Sequence, residues 1–374
     1  RGKLAISHIK VRPYFQFLGL WLAYAILSMG WAFSKGDAVR DIIFLFMSVS
    51  VIYFTVYYLN DYKDIDRLFR LWFIVFVALL ILGVWEHLTW QHLPVSGYYL
   101  ESRPYLQYLP TGVFHNPNDY ATYLALSIPF AVGLVRYTKS IFIRLLGLAT
   151  IVVAFYFIVI VGSRANILAV LLEIAFFVLF MTNIKQKFKL IIITIMCSAV
   201  VLFFLPGPVQ LFFSKLGGEL MSLGGSAELS SGSVSIRINL IRNGLRFLYS
   251  SIGFGIGAGN IWYWMENFPT FDTLGIFSIH NWWLEILTNY GILIFFGYIA
   301  MYIGIMKNLL HIWRKASNRK ERMIAESLLL SLVGFLFASI SSSSIMAFNP
   351  QWLLFAFALA FLNSHRCNHR RAKI

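Results

Sequence analysis

The chain has 374 residues; 59% are apolar, against about 45–50% in ordinary soluble domains, and only 13% are charged. A soluble protein of this size cannot hide that much apolar surface, which excludes a soluble enzyme, a disordered chain and a disulfide-stapled secreted module. The net charge of +15 would point to nucleic acid in a soluble protein; in a membrane protein Lys and Arg gather in cytoplasmic loops, so the expected partner is the lipid bilayer and not nucleic acid.

Apolar runs of about 18–25 residues are long enough to cross ~30 Å of hydrocarbon as helices. Ten are expected, at 14–33, 40–59, 68–88, 119–137, 141–161, 165–182, 188–206, 282–306, 323–345 and 350–364. Lipid offers backbone groups no partner, so each must be a helix, and the runs are too continuous for barrel strands. The fold class is therefore an all-α polytopic integral membrane protein in a single membrane domain, 1–374. Because residue 1 is Arg, an N-terminal part is expected to be missing. Cys197 lies in an apolar run and Cys367 in a basic tail, so no disulfide framework is expected.

Counting Lys and Arg in alternate connections puts 23 of the 31 on one side. By the positive-inside rule that side is cytoplasmic and holds both visible termini. The outward side then carries two long segments. Residues 89–118 contain Pro94, Gly97, Pro104, Pro110 and Pro117 and read as a loop with turns. Residues 207–281 form the largest extracytoplasmic loop. It opens on the helix-stopping Pro206-Gly207-Pro208, continues through a surface stretch Val209–Leu216 and a glycine-rich hinge ending at Gly232, and then shows a helical pattern from Ser235, a candidate N-cap, to Tyr249.

Arg164 sits in Gly162-Ser163-Arg164-Ala165-Asn166, between two apolar runs with almost no loop. Its guanidinium must lie near the outer lipid–water boundary, on the side poor in positive charge. It either snorkels to lipid phosphate or grips an anionic substrate. Arg237, Arg242 and Arg246 share the helical part of the outward loop. At ~100° per residue Arg242 and Arg246 share a face and Arg237 points elsewhere.

His280 opens His280-Asn281-Trp282-Trp283-Leu284-Glu285 at the mouth of a membrane helix. Either it caps that helix or it serves as a base, since an unperturbed histidine titrates near 6.5. His115, in Phe114-His115-Asn116-Pro117-Asn118-Asp119, is a weaker candidate of the same kind, and the string around Asn118 reads as a turn and N-cap.

Two arginines and a histidine on one face form a coherent set. Guanidinium forks hold a diphosphate and stabilise the charge that builds on it as a leaving group. A histidine can take the proton of an attacking sugar hydroxyl. No outward Asp-x-Asp pair or His/Cys cluster has ligand spacing, so no metal or other cofactor is expected. The run from Gly253 to Asn260 lacks a preceding strand and is not a dinucleotide or P-loop.

At these residues the chain resembles the bacterial O-antigen ligase/polymerase family of membrane glycosyltransferases. The matching pieces are Gly112-Val113-Phe114-His115-Asn116-Pro117-Asn118, Gly162-Ser163-Arg164-Ala165-Asn166, Ser235-Ile236-Arg237, the Gly253–Asn260 run, and His280-Asn281-Trp282-Trp283-Leu284-Glu285 continuing to Tyr290-Gly291, in family order. Leu82-Gly83-Val84-Trp85-Glu86 and His92-Leu93-Pro94-Val95-Ser96 look like the teichuronic acid polymerase branch of Gram-positive bacteria.

The resemblance implies a GT-C-like fold in the bacterial plasma membrane with an extracytoplasmic site. It implies an undecaprenyl-diphosphate-linked glycan as donor and a saccharide hydroxyl as acceptor, with other polysaccharide-export proteins as candidate partners. Carried onto this chain, the catalytic set is His280, Arg164 and Arg237; Arg242, Asn281, Glu285, Asn118 and His115 are expected to bind substrate. Trp262, Trp264, Tyr98 and Tyr99 are available to stack on sugars. The rival reading is a flippase or transporter of an anionic lipid-linked glycan or solute. It expects ionisable residues near the midplane, where Glu173 is the main exception to an otherwise clean pattern, and broken helices.

Overall fold

A computed structural model describes residues 11–183, 185, 187, 233–340 and 346–371, and all regular structure among them is α-helical. In chain order the helices are α1 (Arg12–Ser28), α2 (Lys35–Tyr58), α3 (Tyr62–Thr89), the short α4 (Pro104–Gln107), α5 (Pro117–Tyr137), α6 (Ile141–Val161), α7 (Arg164–Phe180), α8 (Ser233–Ser250), α9 (Ile261–Asn267), α10 (Trp282–Lys315), α11 (Arg319–Ala338) and α12 (Asn349–Arg371). The expected span at 188–206, the Val209–Leu216 stretch and the hinge before Ser233 lie outside the described residues. By length and composition α2, α3, α6 and α10 are apolar and long enough to cross a membrane.

Several expected boundaries move, each for a local reason. The first helix ends at Ser28, not 33, because Ser34 already caps α2 by accepting from the Asp37 N–H. The helix expected to run to 345 ends at Ala338, where the next carbonyl, of Ser339, turns to accept from Trp282 N at 3.1 Å. The last helix is longer than expected, reaching Arg371. Ser235 is not an N-cap; α8 has already begun at Ser233.

The centre of the bundle is the antiparallel pair α5 and α11, each buried on nearly every face. Both pack among other helices, so they carry hydroxyls that a lipid-facing helix could not. Pro129 lies inside α5 and has no N–H to give its own helix. Ser331 donates to Leu126 O at 2.7 Å and Ser327 to Pro129 O at 2.9 Å, so α11 supplies donors along the proline-bent stretch.

The two ends of the bundle differ. At one end short basic turns join the helices, tied by Lys320–Asp66 at 3.2 Å and by Glu326, which takes Tyr137 Oη at 2.8 Å, Trp313 Nε1 at 2.9 Å and an ion pair from Arg136. The other, the loop end, carries residues 90–116 and 251–281.

There the Gly253–Asn260 run works as packing, not as an anion loop. It lies against α1, α2 and a break in α10 at Gly291 (φ 78°, ψ −177°). The break leaves helix carbonyls open, and the run closes them: Ile256 N donates to Thr288 O at 2.9 Å, Gly257 N to Asn289 O at 3.0 Å, and Ile292 N returns to Gly253 O at 2.9 Å. A Cβ on Gly291 would lie 2.4 Å from Gly253 O. Gly291→Ala therefore meets both a left-handed backbone and a backbone clash. It is expected to cost on the order of 1–3 kcal/mol, read as a lower apparent melting temperature of the detergent-solubilised protein; an unchanged melt would refute this role for the break.

Candidate active site

Helix ends gather at the loop end. Asn116 caps α5, accepting from Asp119 N at 2.9 Å, and Asn281 caps α10, accepting from Leu284 N at 3.3 Å. The first turn of α7 is tied to that of α5 by Asn166, whose Nδ2 donates to Thr122 Oγ1 at 3.2 Å and Asn118 O at 3.4 Å. Thr122 in turn reaches Ala338 O at the end of α11, and the next carbonyl holds Trp282 N. The N-termini of α5, α7 and α10 thus lie around the end of α11. Each carries a partial positive charge from its macrodipole, set against the negative C-termini of α6 and α11 at the same end, so the side chains decide the sign of the rim.

Arg164 is the first residue of α7. Gly162 closes α6 in the left-handed region (φ 70°), which makes the α6–α7 turn tight enough to keep Arg164 at the rim. Arg237 comes from α8. It opens to solvent, yet the protein flanking it lowers its pKa, burial being the larger cause and the Arg164 charge the second. The two guanidiniums therefore stand within each other's field. A bound dianion would offset the effect of the Arg164 charge on Arg237.

His280 is held in the left-handed region at φ 49°, an uncommon conformation for a residue with a side chain. Its neighbours explain how it is kept there. Trp282 is buried against Trp21, Tyr298 and Trp352 and donates from Nε1 to Tyr298 Oη at 2.9 Å, while Trp283 Nε1 donates to Leu336 O at 3.2 Å. On its other side Ile279 packs in one small core with Leu240, Phe247 and Ile236 of α8. Ile236 precedes Arg237 and Ile279 precedes His280, so that core brings the histidine and the second arginine to the same region.

The remaining expected residues are placed as follows. Arg242 lies over the Phe271 ring at 5.4 Å, about 140° round α8 from Arg237. Asn281 is the α10 cap described above. Asn118 meets Asn166 through its backbone carbonyl. His115 is exposed, with Nδ1 3.4 Å from Val95 O. Trp264 is half-buried, packed on Phe247 and Phe268 at 5.2 Å. Tyr98 is half-buried, edge-on to His92 at 6.0 Å. Trp262 and Tyr99 do stay exposed, at 53% and 51%. Arg103 is taken up by Glu101, with contacts of 2.8 and 2.6 Å that hold the Glu101 pKa down to about 2.

Two cavities open near this rim and share Ala347 as a wall. The larger, about 550 Å³, is an apolar groove running along α3 from Leu68 to Leu79 and ending at His115, Asp119 and Asn349. The smaller, about 400 Å³, is the more polar of the two and includes Glu285. The charge count treated Arg40 as a loop charge and passed over Asp37 and Asp41, yet all three line this cavity. The signal that could have found the two carboxylates is their spacing, i and i+4 on an otherwise apolar helix, which puts both on one face.

The segment 90–116 is itself clasped to the bundle by a carboxylate. Glu86, wholly buried, accepts from Thr111 N at 2.8 Å, Gly112 N at 2.6 Å and Thr111 Oγ1 at 3.2 Å, with His92 Nδ1 at 3.3 Å. His92 Nε2 faces Gln107 O at 2.8 Å and so carries the proton there. Glu86 and His92 both fall in the strings that resemble the teichuronic acid polymerase branch.

Residues 149–299 match the O-antigen ligase family, a segment that holds Arg164, Arg237, Arg242, His280, Asn281 and Glu285 but not His115 or Asn118. The chain is also 30% identical over 361 residues to the teichuronic acid biosynthesis protein TuaE of Bacillus subtilis (strain 168), an alignment covering 95% of this chain and 72% of that protein.

Proposed function

Because the chain belongs to the O-antigen ligase family, we propose that it is a glycosyltransferase of the bacterial plasma membrane that assembles cell-surface polysaccharide. The reading includes about ten spans in a GT-C-like arrangement, with the loop end outside the cell. The donor is an undecaprenyl-diphosphate-linked glycan and the acceptor a sugar hydroxyl, with teichuronic acid as the polymer class suggested by the relative. The single observation that carries it is that Arg237 of α8 comes within the electrostatic field of Arg164 at the start of α7.

In this reading Arg164 and Arg237 bind the diphosphate. The apolar groove that ends at His115 and Asp119 is suited to the prenyl tail, and the adjoining polar surface to the glycan. His280 takes the proton of the acceptor hydroxyl. The oxygen forms its bond to the donor's anomeric carbon as the carbon–oxygen bond to phosphate breaks. The electron pair leaves with the lipid diphosphate, whose charge the arginines stabilise.

The test supplies purified protein in lipid vesicles with a labelled lipid-diphosphate oligosaccharide. Longer glycans together with free lipid diphosphate are expected. His280→Ala is expected to slow this by about 10²–10⁴-fold, the usual contribution of a positioned acid–base group, with unchanged abundance in the membrane. Wild-type turnover in that variant would remove His280 from the reaction.

One observation favours the transporter reading: α10 is discontinuous at Gly291, as in many transporters. Glu173, buried against Gly334 with neither oxygen hydrogen-bonded among the described residues, points the same way. The vesicle assay separates the two, since a flippase moves the labelled lipid across the bilayer without changing any bond.

A further inference from the structure

The 400 Å³ cavity has a composition that the diphosphate reading does not use. One wall is the start of α2, with Asp37, Arg40 and Asp41. The opposite wall is the first half of α10, with Glu285 and Asn289, and the mouth carries Trp262. Asp37 and Asp41 are spaced i, i+4, and so are Glu285 and Asn289, so each helix turns one polar face inward. The walls are locked. Asp41 accepts from Tyr290 Oη and from the Gly259 backbone N–H, and a Cβ on Gly259 would lie 2.7 Å from Asp37 O and 2.8 Å from Asp41 Cβ. Asn289 Oδ1 is fixed by Ile261 N at 3.1 Å.

Three carboxylates against one guanidinium make this cavity negative, beside a rim that is positive. Ionised carboxylates accept hydrogen bonds and donate none, so they pair with hydroxyl or amide donors. An exposed indole offers a flat face for a sugar ring. The volume falls in the usual range for small-ligand pockets, about 300–1,000 Å³. A carboxylate-bearing sugar would bring a further like charge to Asp37, Asp41 and Glu285, which costs affinity.

The position assigns the ligand's role. Ser278 and Ile279, the two residues before His280, line the cavity, whereas His280 itself, Arg164 and Arg237 do not. A group seated here lies beside the turn that carries the histidine and away from the diphosphate grip. We propose that this cavity is the acceptor subsite and that it selects an uncharged, hydroxyl-rich sugar over a uronic acid. This rests on the glycosyltransferase reading above. Trp262 supplies the stacking face, Glu285 and Asp37 the hydroxyl acceptors and the charge discrimination, and Arg40 and Asn289 the donors.

The experiment has two arms on the purified full chain. In the first, tryptophan fluorescence is titrated with methyl glycosides of neutral hexoses and N-acetylhexosamines and with methyl glucuronide, with no lipid donor present. At least one neutral glycoside is expected to bind about tenfold or more tightly than the glucuronide. That response should vanish in Trp262→Ala, and the preference should collapse in Glu285→Gln. No response to any neutral glycoside, or equal or tighter binding of the glucuronide, overturns the proposal.

The second arm measures turnover with the lipid-diphosphate oligosaccharide while the acceptor is varied. Trp262→Ala is expected to raise the acceptor KM about tenfold and leave the donor KM alone, the mark of lost acceptor binding. An unchanged acceptor KM overturns the proposal. If the wild type forms no glycosidic bond, the function above fails, and the first arm still decides whether the cavity takes a neutral sugar.

Discussion

Arg164→Ala is expected to cut polymer formation by about 10²–10³-fold, the loss typical of removing one preorganised group that stabilises a developing anion. Arg237→Ala should do the same. The reason is geometric as well as electrostatic. The leaving diphosphate gains charge as the sugar bond breaks, and a guanidinium presents two parallel N–H donors to it in a fixed fork.

Lysine at either position keeps the charge and loses the fork, so Arg164→Lys should fall between alanine and wild type. The double alanine variant should be less impaired than the product of the two single effects, because the arginines act on one group. Removing either arginine also relieves the like-charge cost on the other, so the Arg237 pKa should rise towards its ordinary value in Arg164→Ala. The measurement is the initial rate of glycan extension, normalised to membrane-inserted protein. Full activity in either alanine variant would dismantle the diphosphate grip.

Glu86→Ala carries the largest expected effect on stability. The carboxylate satisfies two backbone N–H groups, of Thr111 and Gly112, and the Thr111 hydroxyl, with His92 packed beside it. All lie in the interior, where an unpaired donor costs about 1–3 kcal/mol. Losing the shared acceptor should cost on the order of 3–5 kcal/mol, roughly 4–6 °C in apparent melting temperature for a protein of this size. Glu86→Gln keeps one acceptor oxygen and should lose less.

The damage should also be local. Residues 90–116 should become sensitive to protease before the bundle melts, because the clasp is what ties their backbone to α3. Reduced activity is expected with it, since His115, Asp119 and the α5 N-terminus continue from that segment. Protease resistance equal to wild type in Glu86→Ala would mean the clasp does not hold the segment.

Much of this architecture is written in the order of residues. Hydrocarbon admits helices as the solution for a continuous apolar run, and the expected 141–161 helix has the observed bounds of α6. Arg164 could be placed at a helix start because the turn before it is too short to put it elsewhere. His280 could be assigned a role only by pattern, because its conformation is held by Trp282 and Ile279, whose packing partners are distant in sequence. Lipid-facing helices announce themselves; α5 and α11 do so less, because helices surrounded by protein are free to carry Ser, Thr and Asn.

What tertiary structure alone decided is which polar residues meet. Asp41 and Tyr290 are 249 positions apart and share a hydrogen bond. Arg40 reads as a loop charge and Asp37 carries no signal until the Asp41–Tyr290 bond brings the first half of α10 to the start of α2 and both residues line a cavity there. Trp264 and Trp262 look alike in the string, but one packs against the core under α8 and the other faces the cavity mouth. Periodicity reports the face a residue occupies on its own helix. It carries no information on which other helix that face will meet, and in a bundle of many apolar helices that choice is made by packing and by a few buried hydrogen bonds.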